Sequence, residues 1–166
     1  MLNKQLLNND LYNFSSSYVE HMTSEELSES FDFLLPISNS YPGIEAWFNQ
    51  KVIPGLYNST RKLFVHRRNG TIVALGIAKK TESELKVCTV RVASEYAGKG
   101  LGIKIFKEAM EWLGTDKPHL TVSEDRLPDF EKIFTHFGYS LTSTVKGLYS
   151  PNKVEYFFNE SKSFTK

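Results

Sequence analysis

The sequence has little cysteine, little net charge and no long apolar run. Its single cysteine, Cys88, cannot form a disulfide within the chain, and a free thiol in an apolar run behaves as a small hydrophobic side chain. No segment approaches the roughly 20 apolar residues that cross a bilayer. Residues 1–11 contain Asn and Gln where a signal peptide needs an unbroken apolar stretch. We therefore expect a cytoplasmic protein that does not enter a membrane.

Neither sign of charge dominates the chain. Twenty Lys and Arg residues oppose nineteen Asp and Glu residues, which leaves a formal net charge of +1. A nucleic-acid-binding protein usually has a strong positive excess or a concentrated basic face, so the composition does not predict nucleic-acid binding. The histidines show no spacing typical of metal ligands, and no metal site is predicted. They are His21, His66, His119 and His136.

The length and composition suit one globular domain. The chain has 166 residues, of which 40% are hydrophobic, and this is enough for a single core. No internal repeat or low-complexity linker divides it. We expect one domain over residues 1–158, followed by a polar tail over residues 159–166.

The first third of the chain predicts two helices. Thr23 and Glu26 form a capping box at the start of an amphipathic pattern, which Pro36 is expected to stop. A second, short helix is predicted over residues 43–52. The Pro-Gly pair at residues 54–55 is expected to end it.

The rest of the chain alternates strands and helices. Asn-Gly at residues 69–70 predicts a type I′ turn between strands at 61–68 and 71–79, and an apolar strand follows at 85–92. An amphipathic helix is predicted over residues 101–113. The later elements are a strand at 119–122, a helix at 126–137 with Asp125 as its cap, and strands at 139–145 and 153–158. This order implies an α/β fold with a mixed, mostly antiparallel sheet and helices on both faces.

A glycine-rich loop, Gly98-Lys99-Gly100-Leu101-Gly102, lies between the third strand and the amphipathic helix. Backbone N–H groups at a helix N-terminus attract anions, and glycines let a diphosphate approach the main chain closely. The dinucleotide fingerprint fails because Ile103 stands where its third glycine is required. The Walker A motif fails because Ala93 replaces its first glycine. A shorter Gly-x-Gly phosphate-binding loop remains.

The segment from Val90 to Gly102, VRVASEYAGKGLG, resembles the acyl-CoA loop of the GNAT superfamily of N-acetyltransferases. That loop has a strand, a short acidic or aromatic link, and Arg/Gln-x-x-Gly-x-Gly/Ala at the start of a helix. Residues 119–139, which end in FTHFGY, resemble the next block of the family, where the usual form is Tyr-x-x-x-Gly-Phe. In element order the resemblance covers residues 61–158. It implies a single GNAT-like domain that moves an acetyl group from acetyl-CoA directly to an amine.

The resemblance also implies a cofactor site without a metal. The main chain at the end of the third strand and the glycine loop are expected to hold the coenzyme A part of acetyl-CoA. The expected cofactor-binding residues are Val90, Arg91, Val92, Ala97, Gly98, Lys99, Gly100, Leu101, Gly102 and Ile103.

Three positions depart from the family pattern. Ala97 replaces a polar Arg or Gln, and Phe134 stands where many members have a Tyr that is proposed as general acid. No Asn follows the strand at 119–122, where many members use one to hold the pantetheine arm. Binding through the backbone tolerates these changes, but the proton-transfer roles do not carry over. The alternative function is therefore a non-catalytic acyl-CoA-binding regulatory module.

Candidate catalytic residues follow from the predicted sheet. A base must take a proton from the amine, because a free Lys amine has a pKa of about 10.4. Glu124 is the first candidate and Glu84 the second, since Glu124 follows a strand whose end should face the cofactor. Ser123 is a candidate donor to the leaving thiolate. The alternative is that Ser123, Glu124 and Asp125 simply cap the next helix. Tyr149 is a candidate contact for the acceptor, a small-molecule or peptide amine. The protein is expected to be a monomer or a homodimer.

Overall fold

The fold is built around a six-stranded sheet in the order β1-β2-β3-β4-β6-β5, in which β3 and β4 pair in parallel and the other neighbours are antiparallel. The computed structural model describes residues 22–160. The strands are β1 (Arg61–Arg68), β2 (Thr71–Lys80), β3 (Leu85–Val92), β4 (His119–Ser123), β5 (Leu141–Lys146) and β6 (Val154–Phe158). The α-helices are α1 (Ser24–Leu34), α2 (Ile44–Trp47), α3 (Ile53–Tyr57), α4 (Leu101–Leu113) and α5 (Leu127–Phe137).

Helices cover both faces of the sheet, which confirms the predicted α/β architecture. On one face, Ile105 of α4 packs in a core with Val90 of β3 and Phe130 of α5. On the other face, the core contains Phe48 and Leu75, together with the helices that precede β1. The central strand β2 is buried along nearly its whole length, because both of its faces are covered. Within residues 22–160 no helix is long and apolar enough to span a membrane.

The predicted domain and tail reach beyond the described residues. The first 21 residues of the predicted domain and residues 161–166 of the predicted tail lie outside them, so these boundaries stay predictions.

The predicted start of α1 is confirmed, but the predicted end of the second helix is wrong. Glu26 N–H donates to Thr23 Oγ1 over 3.1 Å, and Thr23 N–H donates to Glu26 Oε2 over 3.0 Å, so the capping box forms. The second helical segment continues past Pro54 to Tyr57. A π-helical turn at Phe48–Val52 makes this possible, because it places Pro54 in the first turn of α3, where no N–H is needed.

Three turns have the backbone conformation that the sequence predicts. Asn69 and Gly70 have φ values of 52° and 79°, as a type I′ turn requires. Gly114 and Gly138 are left-handed residues that end α4 and α5. These turns fix the lengths of the elements that carry the glycine loop.

Strands β3 and β4 diverge soon after they meet. Their pairing consists of Lys86 with His119 and Val87 with Leu120. Beyond this point β3 continues beside β2 and β4 continues beside β6. A bulge at Cys88 adds a residue to β3 at the point of divergence, and bulges locally bend a strand and re-aim its side chains. The sheet therefore opens along the C-terminal half of β3.

Asp125 does not cap α5, contrary to the prediction. The residue before α5 is Arg126, and no side chain caps the helix. Asp125 instead accepts hydrogen bonds from the Ser123 hydroxyl, from Ser40 Oγ over 2.5 Å and from Lys153 Nζ over 2.9 Å. Its carboxylate thus joins the segment after α1 to β4 and β6.

The packing of α4 on β2 predicts that Gly76→Ala destabilises the protein. A Cβ at Gly76 would lie 2.4 Å from Ile105 Cγ2, in a buried contact that has no room to adjust. We expect a loss of about 1–3 kcal/mol in the free energy of unfolding, measured by urea denaturation. Gly43→Ala is the control, because a Cβ there meets no atom within 4 Å. Its effect should stay within about 0.5 kcal/mol, and equal losses in the two variants would contradict this packing argument.

The Asp125 contacts predict a pH-dependent effect of Asp125→Asn. Burial alone would raise the pKa of Asp125, but hydrogen bonds from Ser123, Ser40 and Lys153 bring it well below its ordinary value. A lowered pKa stabilises the fold above the unfolded value of about 3.9, and this stabilisation is lost as pH falls. Because solvent screens the partly exposed carboxylate, we expect a loss of about 1 kcal/mol at neutral pH.

The measurement is urea denaturation of wild type and variant at neutral pH and below pH ~4. The difference between wild type and Asp125→Asn should shrink at the lower pH. Asp116→Asn, at an exposed site in the loop before β4, is the control and should differ little from wild type at either pH. A pH-independent penalty in Asp125→Asn would show that the carboxylate charge plays no part.

Candidate functional site

The glycine loop leaves the N-terminus of α4 open. Gly98 and Gly100 have φ values of 75° and 82°, and a Cβ at either position would meet no atom within 4 Å. The first turn of α4 is closed by a bond from Lys104 N–H to the Gly100 carbonyl. The N–H groups of residues 101–103 therefore have no partner inside the helix. At the positive end of the helix dipole they form a site suited to a diphosphate.

Two other residues of the loop have different surroundings. Lys99 is exposed, and its Nζ lies 5.3 Å from the ring centroid of Tyr96. Gly102 is required for packing, because a Cβ there would lie 2.9 Å from Ile133 Cδ1 of α5. Gly102 thus sets the contact between α4 and α5, whereas Gly98 and Gly100 leave space for a ligand.

The end of β3 offers backbone groups at its open edge. Successive residues of a strand direct their N–H and C=O groups to alternate sides. Ala93 N–H donates to the Val73 carbonyl on β2, so the backbone groups of Val92 and Val90 point away from β2. The Val90 carbonyl accepts a bond of 2.8 Å from Arg126 Nη2, which agrees with this direction. Val90 and Val92 therefore present main-chain groups where β3 and β4 separate.

Arg91 and Ala97 offer no polar side chain to the loop. Arg91 Nη1 donates to the Phe33 carbonyl over 2.9 Å, and its guanidinium lies 4.3 Å from the Phe33 ring centroid. The Arg91 side chain is therefore bound to α1. Ala97 is exposed with an extended backbone. Any contribution of these two residues to cofactor binding comes from their main chain.

A cavity of about 320 Å³ lies beside β3, on the face that α1–α3 cover. We call it the β3 cavity. Tyr41, Trp47 and Tyr149 form aromatic walls. Lys86, Cys88 and Thr89 of β3 line it with Thr121 of β4. The rings of Tyr41 and Tyr149 meet edge to face, with centroids 5.5 Å apart. Because β3 leads from this cavity to the glycine loop, a ligand lying along the open edge would connect the two.

Two residues of β3 give the cavity polar character. Thr89 Oγ1 is buried and has no hydrogen-bond partner among residues 22–160, so it is available to a ligand. Cys88 Sγ accepts a bond of 3.2 Å from Arg61 Nη1. Burial raises the pKa of the Cys88 thiol, which opposes a role as nucleophile.

A buried carboxylate stands behind the β3 cavity, and the sequence analysis missed it. Glu155 of β6 is 3% exposed. The Tyr41 hydroxyl donates to Glu155 Oε1 over 2.9 Å, and the Tyr41 oxygen accepts from Ser123 N–H over 3.1 Å. Burial raises the pKa of Glu155, while hydrogen bonds from Tyr41 and Thr121 act to lower it, and the net direction is upward. A charged residue inside the apolar strand VEYFF was the available sequence signal.

The three predicted catalytic residues lie in different surroundings. Tyr149 lines the β3 cavity. Glu124 is exposed, and its Oε1 accepts the Val154 N–H over 3.0 Å, which extends the pairing of β4 with β6. The Ser123 hydroxyl donates to Asp125. Glu84, the second candidate base, lines the cavity but contacts lysines. Only Tyr149 and Glu84 of these four residues lie where an acceptor could reach them.

Within residues 22–160 no group of three or more His, Cys, Asp or Glu side chains is arranged to hold a metal ion.

A curated relative is similar to part of this chain. The mycothiol acetyltransferase of Rothia mucilaginosa (strain DY-18) is 33% identical over 107 residues, which cover 60% of this chain and 30% of that protein. This chain therefore spans less than a third of the length of the relative.

Solved structures with low sequence identity share the fold. The ribosomal-protein-S18-alanine N-acetyltransferase from Escherichia coli has a TM-score of 0.61 at 12% identity, covering 82% of this chain and 88% of the other. An aminoglycoside 6′-N-acetyltransferase complexed with coenzyme A has a TM-score of 0.59 at 11% identity, covering 86% and 93%. At such identities the likeness establishes the fold.

A family model described as acetyltransferase (GNAT) domain matches residues 37–146, which are more than half of the chain. The match includes β1–β5, the glycine loop, α4 and α5. The chain belongs to the GNAT acetyltransferase family.

Proposed function

We propose that this chain is an acetyl-CoA-dependent N-acetyltransferase that acts on a small-molecule or peptide amine. The observation that carries the proposal is the open glycine loop at the N-terminus of α4, next to the separated edges of β3 and β4. Family membership supports the same reaction, and the names of the relative and of the structural neighbours all state acetyl transfer.

The residues present fit coenzyme A at the level of the main chain. The open space at Gly98 and Gly100 admits a diphosphate, and the N–H groups of residues 101–103 would bind it. The outward backbone groups of Val92 and the Val90 N–H would bind the amide-containing arm, while the Val90 carbonyl accepts from Arg126. When bound, acetyl-CoA supplies an activated thioester. A backbone N–H aimed at the thioester oxygen contributes about 3 kcal/mol to lowering the barrier.

The acceptor amine must lose a proton to react, and Tyr41 with Glu155 forms a proton path. Tyr41 lines the β3 cavity and already donates to Glu155. Its oxygen can accept a proton from the amine as its own proton passes to the carboxylate. The pKa of Glu155 is raised towards neutral pH, which suits a general base. We therefore propose Glu155 as the final proton acceptor in place of Glu124, with Tyr149 as an acceptor contact.

The leaving thiolate needs little help. Its ordinary pKa of about 8.5 makes it a good leaving group near neutral pH. The Ser123 hydroxyl is engaged by Asp125, and Phe134 is buried in a stack with Phe130 and Phe158. The proposed reaction uses neither residue as an acid.

The glycine loop predicts that Gly100→Asp weakens coenzyme A binding. The substitution places a negative charge beside the diphosphate and narrows the approach to the main chain. We expect the dissociation constant, measured by isothermal titration calorimetry, to rise at least about tenfold. Gly114→Asp is a matched control, because Gly114 ends the same helix with a similar φ of 74° and open surroundings. Equal coenzyme A affinities in the two variants would show that the diphosphate does not bind at this loop.

The proton path predicts that Glu155→Gln lowers kcat. The amide keeps the size of the side chain but cannot accept the proton, so we expect kcat to fall about 10- to 100-fold. The acidic limb of the kcat/KM profile should also disappear. This limb should lie above the ordinary Glu pKa of about 4.3, since the pKa of Glu155 is raised.

The assay follows free thiol released from acetyl-CoA with a panel of amines. Glu124→Gln, measured in parallel, separates the two candidate bases: a loss there, with full activity in Glu155→Gln, would restore the assignment made from the sequence. Coenzyme A binding without amine-dependent thiol release would favour the non-catalytic binding module.

A further inference from the structure

We propose that the acceptor amine also carries a carboxylate, which Arg61 binds in the β3 cavity. The acceptor class is then an amino acid or short peptide with an apolar or aromatic body. This inference rests on the proposed function and specifies its substrate.

The charges that line the β3 cavity are mostly positive. They are Arg61, Lys79 and Lys86, opposed by Glu84. Three positive charges against one negative charge leave an excess of two. Glu84 is already engaged, since its oxygens lie 3.0 Å from Lys79 Nζ and 3.9 Å from Lys86 Nζ. An acceptor with several ammonium groups would be repelled, whereas an anionic group would be attracted.

Arg61 is the cation in this set that is free to bind a ligand. Within residues 22–160 it has no carboxylate within 4.0 Å. Its guanidinium lies 5.8 Å from the Trp47 ring centroid and donates to Cys88 Sγ. Sulfur is a weak acceptor, and a guanidinium has five N–H donors in a fork that matches a carboxylate. Arg61 therefore keeps donors for one carboxylate.

The cations of the cavity reach β3 before Thr89, and the amine is placed at Thr89 and Tyr41. Arg61 Nη1 contacts Cys88, the residue directly before Thr89 on β3, and Lys86 lies three residues before Thr89, about 10 Å along the strand. The unpaired Thr89 hydroxyl and Tyr41 lie where β3 and β4 separate, so the amine belongs there. The aromatic walls formed by Tyr41, Trp47 and Tyr149 suit an apolar body. A volume of about 320 Å³ is at the lower end for ligand cavities.

The first test compares the binding of small molecules that each carry one polar end group. 3-Phenylpropionate, 3-phenylpropanamide and 2-phenylethylamine have similar bodies but negative, neutral and positive ends. Calorimetric titration of the whole chain should show the carboxylate binding at least about tenfold more tightly than the amide. Equal binding of the three, tighter binding of the amine, or no binding of the carboxylate would overturn the proposal. If phenyl phosphate binds more tightly than 3-phenylpropionate, the anionic group of the acceptor is a phosphate and the carboxylate proposal is wrong.

The second test changes Arg61. Arg61→Gln should weaken 3-phenylpropionate binding about tenfold and leave 3-phenylpropanamide binding nearly unchanged. Lys62→Gln is the matched control: Lys62 is the next residue of β1, and its Nζ lies over Phe64 on the other face of the sheet. Removing it should change neither affinity. Because Arg61 also packs on Trp47, urea denaturation must show that the Arg61→Gln variant is folded. Lys86→Met is a second variant that removes one positive charge from the cavity. Unchanged carboxylate affinity in folded Arg61→Gln would refute the proposal. If that variant does not fold, unchanged affinity in Lys86→Met would refute it.

A separate measurement distinguishes this inference from the proposed function. If coenzyme A binds and amines are acetylated, but acceptors with and without a carboxylate react equally, only the carboxylate inference fails. If coenzyme A does not bind at all, the proposed function fails whatever the cavity binds.

Discussion

The separation of β3 from β4 is the constraint on which the site depends. Two residue pairs hold these parallel strands together, ending with Val87 and Leu120. Past this point each strand keeps its other neighbour, so the sheet stays continuous while its centre opens. The Val90 carbonyl accepts from Arg126 instead of from β4, and the backbone groups of Val92 lose the partner that a closed sheet would provide. Unpaired backbone groups need either water or a ligand, and this requirement makes the open edge suitable for an amide-containing chain.

Glycines act in two different ways around this opening. Gly98 and Gly100 lie in left-handed conformations with empty space around them, so they leave the end of α4 accessible. Gly76 and Gly102 have no such space, because Ile105 and Ile133 occupy it. The second pair lets α4 lie close to both β2 and α5. Close packing holds the helix end in a fixed position, and a rigid helix end is what an anion site requires.

Polar contacts tie the segment after α1 to the far half of the sheet. Tyr41 bonds to Glu155 and to the backbone of Ser123, and Ser40 bonds to Asp125. These contacts place the aromatic wall of the β3 cavity against β4 and β6. The same bonds keep a buried carboxylate next to the cavity without bringing it to the surface. The proposed proton acceptor therefore lies next to Tyr41, in the same cavity that Arg61, Lys79 and Lys86 line.

The sequence determined the features that depend on neighbouring residues, and the tertiary structure determined those that depend on distant ones. The capping box at Thr23, the Asn-Gly turn and the open glycine loop follow from local conformational preferences. The prediction that Pro54 ends the helix is wrong, because the π-helical turn at Phe48–Val52 removes the need for its N–H. The partners of Asp125 and Glu155 were beyond local reasoning. Tyr41 and Glu155 are 114 residues apart in the chain, and only the folding of β6 beside β4 brings them into contact.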